Sequence, residues 1–187
     1  MKRRQLLRGL GISILGLLAF PPQAFAMGGT LPALDQPAPD FSLAGVAPDR
    51  RGEAIEAQLN LQDFAGQWLV LYFYPRDFTS GCTLEARGFQ RDLAAFRTSG
   101  AAVVGISADD AESHSRFCGS EGLAFPLLSD PGGRVSRAYG SWIAPFSQRH
   151  TFLIDPSGNL RTIWTAVRPG GHSQEVLEEL QRLKVQA

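Results

Sequence analysis

Cysteine, histidine and methionine are scarce in this 187-residue chain, at two, three and two residues. Two cysteines allow one structural disulfide at most, not the dense framework that staples small secreted domains. No apolar run approaches the ~20 residues that span a bilayer; the run from Gly9 to Phe20 is about 12 long. Charge of one sign is lacking too: 18 Lys+Arg stand against 18 Asp+Glu, with four of the basic residues among the first eight. Beyond that basic start the chain carries a net charge of about −4 and no basic patch, which excludes nucleic acid as a partner. A phosphate-binding glycine loop, a haem-attachment motif and a Cys-x-x-Cys pair are all missing. His114 and Cys118 stand at metal-ligand spacing, but two ligands do not make a zinc site. The expectation is therefore a chain without metal or cofactor.

The first residues read as a targeting segment. Lys2, Arg3, Arg4 and Arg8 are followed by the apolar run, then by Pro21, Pro22 and Ala24-Phe25-Ala26, which fits an A-x-A cleavage site. Residues 1–26 are thus expected to be an export signal, and residues 27–187 one domain with its own core. Arg3-Arg4 followed by Gln5, Leu6 and Leu7 resembles a twin-arginine signal. An ordinary Sec signal or an uncleaved anchor fits the same layout. Export leads either to a bacterial periplasm or to a thylakoid lumen, with no stable membrane insertion once the signal is removed.

The remaining chain alternates apolar runs with amphipathic stretches. Trp68 to Tyr74 is continuously apolar, as expected of a strand covered on both faces. Ala86, Phe89, Leu93 and Phe96 step by three and four, which predicts a helix over Cys82 to Thr98 with one buried face. Ala101 to Ile106 reads as a second buried strand, and Asp109-Asp110 caps a helix running to about Gly119. Leu123 to Pro126 suggests a short extended segment, with Pro126 arguing against a central position. A short helix is expected around Val135 to Tyr139. Thr151–Ile154 and Leu160–Val167 form a hairpin through a turn-rich connection. A last helix from about Ser173 buries Val176, Leu177, Leu180 and Leu183, with His172 at its start. Trp142, Phe146 and Trp164 read as core or pocket rim, and Asp49 to Glu56 as a charged surface loop. The fold class is α/β, a mixed central sheet with helices on both faces.

Pro75-Arg76-Asp77-Phe78-Thr79-Ser80-Gly81-Cys82 joins the most apolar strand to the first long helix, so Cys82 falls in the first turn of that helix. Unpaired backbone N–H groups and the helix dipole favour an anion there, and a thiolate is the reactive form of cysteine. Pro75 cannot donate to a ladder and ends the strand. Gly81 admits close approach of a small ligand. Thr79, three residues before Cys82, carries a hydroxyl that both donates and accepts. Singly, Thr79 could be a helix cap and Cys82 a small buried hydrophobe.

The spacing Pro-x-x-x-Thr-x-x-Cys, here Pro75, Thr79 and Cys82, resembles the active-site motif of the peroxiredoxin family. The longer string from Leu71 to Ala86 resembles its PrxQ/BCP (bacterioferritin comigratory protein) subgroup. Ala38-Pro39-Asp40-Phe41, Phe125 to Asp130 and Thr151 to Asp155 with Gly158 extend the resemblance over nearly the whole domain. It implies a thioredoxin-like fold and a thiol peroxidase that reduces hydrogen peroxide and organic hydroperoxides. Cys82 would be the peroxidatic thiolate. Thr79 and the Cys82 N–H would hold the peroxide, Arg149 would stabilise thiolate and leaving oxygen, and Glu85 would orient Arg149. Electrons would come from a thioredoxin-like thiol donor, and the protein would be a monomer.

One departure concerns the second cysteine. Many members of the subgroup place a resolving cysteine five residues after the peroxidatic one, where this chain has Arg87. A second arrangement places it on the next long helix, which Cys118 fits, 36 residues downstream of Cys82. Bridging two helices needs Cα atoms within about 7 Å, so the start of the first helix would unwind. Alternatives remain: Cys118 inert beside a one-cysteine peroxidase, or a permanent Cys82–Cys118 bond in a non-catalytic exported domain. A thiol–disulfide oxidoreductase on the same fold would need a second cysteine where Glu85 stands.

Overall fold

The computed structural model describes residues 25–186, so all but the last two residues of the expected 1–26 signal lie outside the described residues. Seven strands form the main sheet, numbered here in chain order: β1 (Ser42–Pro48), β2 (Ala54–Asn60), β3 (Trp68–Phe73), β4 (Ala101–Ser107), β5 (Leu127–Ser129), β6 (His150–Ile154) and β7 (Leu160–Trp164). Four helices accompany them: α1 (Ser80–Thr98), α2 (Ala111–Glu121), α3 (Arg134–Ala138) and α4 (His172–Gln186). The spatial order is β7-β6-β3-β4-β5-β1-β2. β3, β4 and β5 run parallel, and the strands outside them pair antiparallel. This is the mixed α/β sheet expected from the alternating pattern.

β3 is buried at every position, and its period-2 alternation feeds two cores. Val70, Tyr72 and Tyr74 join Phe89, Phe96, Phe117, Val176 and Leu180 on the face covered by α1, α2 and α4. Leu69, Leu71 and Phe73 join Phe41, Phe64, Tyr139 and Phe152 on the other, covered by α3 and the segment before β1. Helices do flank both faces, although the longer three share one. Leu177 and Leu183, expected in the core, are only partly buried at its margin.

Two expectations need correction. The strand near Pro126 begins one residue after it, at Leu127, and lies inside the sheet between β4 and β1. The proline is tolerated because it sits at the strand's threshold and contributes only its carbonyl, which accepts the Gly105 N–H at 3.0 Å. Residues 49–56 are not all loop: the turn is closed by the Asp49 N–H donating to Glu53 O at 2.8 Å, and Ala54 already belongs to edge strand β2. An edge strand with half its residues in water leaves only a faint apolar signal.

β1 joins the sheet through a narrow contact in which Gly45 faces Leu128 of β5. A Cβ on Gly45 would lie 2.7 Å from Leu128 Cα, against backbone that cannot swing aside. Gly45→Ala should therefore lower stability by about 1–3 kcal/mol through overpacking. Urea unfolding reads this directly, and an unchanged midpoint would contradict it.

Candidate active site

β3 stops at Phe73, and the chain turns through Pro75–Thr79 into α1. Thr79 is the N-cap, with extended backbone, but its side chain caps nothing. Its hydroxyl donates instead to the Arg76 carbonyl at 3.1 Å, which leaves its lone pairs open to the cleft over the loop. Cys82 is the third residue of α1, inside the first turn whose N–H groups have no intrahelical acceptors. It is 1% exposed, so only a small reactant reaches the sulfur without opening the loop. Pro75 is half-buried at the strand end, where a missing N–H costs no ladder bond.

Arg149 arrives from the opposite end of the sequence through strand register. β6 pairs antiparallel with β3, setting His150 opposite Phe73, so the residue before His150 is level with the point where the loop leaves the sheet. The Val167 N–H donates to the Arg149 carbonyl at 2.9 Å and fixes the backbone there. The guanidinium then splits its donors: Nη2 reaches Cys82 Sγ at 3.2 Å, and Nη1 binds Glu85 Oε2. Gly81 lies close below it: a Cβ there would sit 3.2 Å from Nη2, a tight contact. One cation thus ties together the thiol and a carboxylate three residues further along α1.

This ion pair is largely dry. Glu85 is 1% exposed, and burial pushes its carboxyl up to about 7 against the opposing pull of Arg149. Burial lowers the Arg149 value, but Glu85 and Cys82 together outweigh it, so the guanidinium stays charged. A fixed cation at the sulfur can stabilise an oxyanion that develops beside it.

A second cluster, not foreseen from sequence as a unit, anchors the loop. Asp77 accepts from the Tyr74 hydroxyl at 2.7 Å, the Ser113 hydroxyl at 2.8 Å and His114 Nδ1 at 2.9 Å. Its own N–H donates to Asp109 Oδ2 at 2.9 Å. Asp77 and His114 are both buried. Phe78 follows at φ +59°, a left-handed conformation unfavourable for a bulky residue, and its ring meets Phe117 of α2 edge-on at 5.1 Å. The available signal was Asp77 within an apolar-flanked loop and His114 on the buried face of α2, but nothing in the spacing joins them.

Cys118 lies on α2 in the same core as Cys82, and both thiols are free. Burial, then the Asp77 charge, push the Cys118 thiol up to about 12. The structure therefore gathers Cys82, Arg149 and Glu85, sets Thr79 and Pro75 on the adjoining loop, and holds Cys118 apart on the neighbouring helix. Trp142 and Trp164 are half-buried and Phe146 is exposed, away from the sulfur's direct partners. His172 opens α4, where its Nε2 meets Thr151 Oγ1 at 2.9 Å. Among the described residues, no group of three or more His, Cys, Asp and Glu side chains could hold a metal ion, and no helix is long and apolar enough to cross a membrane.

The chain is similar to known proteins. The sequence profile of the AhpC/TSA family matches residues 34–163. Peroxiredoxin Bcp of Xanthomonas campestris is 40% identical over 132 residues, 66% of this chain and 82% of that protein. Peroxiredoxin Q of the same organism superposes with a TM-score of 0.68 at 34% identity, over 75% of this chain and 89% of that one. A second structure, of the X. campestris bacterioferritin comigratory protein, concerns alkyl peroxide reduction in trapped intermediate and ligand complexes. It matches with a TM-score of 0.68 and 32% identity, covering 86% of this chain and 98% of that chain.

The raised Glu85 value has a measurable consequence. A carboxyl at 4.5 in the unfolded chain and about 7 when folded favours folding in its protonated form. That contribution is fully present below about pH 4.5 and is lost as pH rises through 7. Between pH 5 and 8 the wild type should lose stability relative to Glu85→Gln, by an amount on the order of 1–3 kcal/mol. A stability difference that stays constant with pH would contradict it.

Proposed function

This chain belongs to the AhpC/TSA family and is a thiol peroxidase of the Bcp/PrxQ peroxiredoxin kind, and we propose that Cys82 is the sulfur through which it reduces hydroperoxides. The observation that carries the assignment is the Arg149 guanidinium, 3.2 Å from Cys82 Sγ and tied by its other arm to Glu85. The Cys82 thiolate attacks one peroxide oxygen, the O–O bond breaks, and water or an alcohol leaves with the sulfur as sulfenic acid. Arg149 and the first-turn N–H groups of α1 face the charge that moves onto the leaving oxygen. The Thr79 hydroxyl, with lone pairs free, accepts from the incoming peroxide. Glu85 holds Arg149 in register, and Pro75 ends the strand so that the loop opens onto the site.

Cys118 then resolves the sulfenic acid as a Cys82–Cys118 disulfide. The tether supports this. Asp77 is bonded to α2 one turn from Cys118, and Cys82 is only five positions further along the chain, a reach of about 17 Å when extended. The first turn of α1 must unwind, and the left-handed Phe78 marks where the chain departs from relaxed geometry. A thioredoxin-like donor returns both thiols. Residues 1–26 support export to a periplasm or thylakoid lumen, where the donor would act.

Peroxide consumption under excess dithiol tests the roles. Cys82→Ser should abolish it, and Arg149→Gln should slow Cys82 oxidation by about 10²–10³-fold, as loss of one preorganised donor does. Cys118→Ser should still reduce one equivalent but form no intramolecular disulfide. Undiminished consumption by Cys82→Ser would overturn the assignment.

A further inference from the structure

Cys118 is a poor nucleophile where it lies. A thiol pushed up to about 12 is ionised at neutral pH in about one molecule in 10⁵, so the resolving step needs a base. One turn earlier on the same helix stands an imidazole held by a carboxylate. His114 is fully buried, one helical turn before Cys118 on α2, and residues four apart share a face with Cβ atoms about 5–6 Å apart. Its Nδ1 meets Asp77 Oδ2 at 2.9 Å. A carboxylate only accepts, so Nδ1 is the donor of that contact and Nε2 is the ring nitrogen left over. That Nε2 has no hydrogen-bond partner. An unpartnered buried polar atom is costly, and a carboxylate-held imidazole with a free nitrogen is the arrangement of a general base.

Resting on the reading of Cys118 as the resolving thiol, we infer that His114, held by Asp77, is the general base of the resolving step. His114 Nε2 takes the Cys118 S–H proton. The Cys118 sulfur attacks the Cys82 sulfenic sulfur, the S–S bond forms and the S–O bond breaks. The departing hydroxide recovers the proton and leaves as water. Sulfenic acid and thiol thus become disulfide and water without outside oxidant or reductant.

The dyad survives the rearrangement that brings the sulfurs together. Asp77 lies upstream of the turn that unwinds and is fixed by Tyr74 just after β3, Ser113 and His114 of α2, and Asp109. Other charges near α2 are peripheral. Arg87 of α1 pairs with Glu121 at the far end, Glu53 lines the recess beside Cys118, and Arg76 and Arg116 flank the cleft over Asp77. Tyr72 of β3 and Tyr74 just beyond it are pushed well above the phenol range, chiefly by burial.

The experiment is rapid-quench mass spectrometry of reduced protein mixed with one equivalent of hydrogen peroxide, timing Cys82 oxidation and disulfide formation separately between pH 7 and 9. In the wild type, disulfide formation should rise by well under tenfold per pH unit. His114→Gln should lower it at least a hundredfold relative to Cys82 oxidation in the same sample, and restore a tenfold rise per unit. Asp77→Asn, which can stabilise the opposite tautomer, should shift the profile the same way and serves if the His114 variant does not fold. A tenfold rise per unit in the wild type, or a His114→Gln profile like the wild type's, overturns the base while leaving Cys118 as resolver. A wild type that makes no Cys82–Cys118 disulfide overturns both.

Discussion

The charged contact among Arg149, Glu85 and Cys82 is the constraint on which the rest of the structure depends. A guanidinium that is mostly withdrawn from water needs partners, and it has two on the first turns of a single helix. One of them, Glu85, is buried, and its second oxygen has no partner. The other is Cys82 Sγ, 3.2 Å from Nη2. Removing one partner of such a contact strands a buried charge.

The fold supplies the coordinates for this contact. Arg149 and Cys82 are 67 residues apart in sequence and meet only because β6 lies antiparallel to β3 in the register that sets His150 beside Phe73. The same strand end releases the loop that leads into α1. Asp77 then pins the loop to α2, the helix that carries both His114 and Cys118. Two sulfurs of opposite character follow. Cys82 sits beside a cation at a helix start, and Cys118 sits in apolar surroundings near a carboxylate. Their chemistry is divided by environment, not by sequence distance.

Much of this was legible in the sequence where a local pattern carries the information. Trp68–Tyr74 had to be a doubly covered strand, and Cys82 had to fall in the first turn of the following helix, because apolar runs, Pro75 and the three-four stepping are all short-range signals. The pattern places strand β5 too early because a proline ordinarily weakens a strand, whereas the Pro126 carbonyl serves the ladder from outside. The start of strand β2 looks like loop because an exposed edge strand has little apolar contrast. The Asp77–His114 cluster was not legible, since it is made by two elements 37 residues apart and neither residue is unusual in its own neighbourhood. Cys118 could be placed on a helix, but its protonation depends on burial that only the packed core defines.

The most direct test of the account is the identity of the first sulfur oxidised. Reduced protein would be mixed with substoichiometric hydrogen peroxide in the presence of dimedone, quenched within the first turnover and mapped by peptide mass. The account predicts a sulfenic-acid adduct on Cys82 alone, with Cys118 appearing only later and only as the disulfide. An adduct on Cys118, or label divided evenly between the two cysteines, would contradict the claim that the Arg149–Glu85 contact selects the reactive thiol.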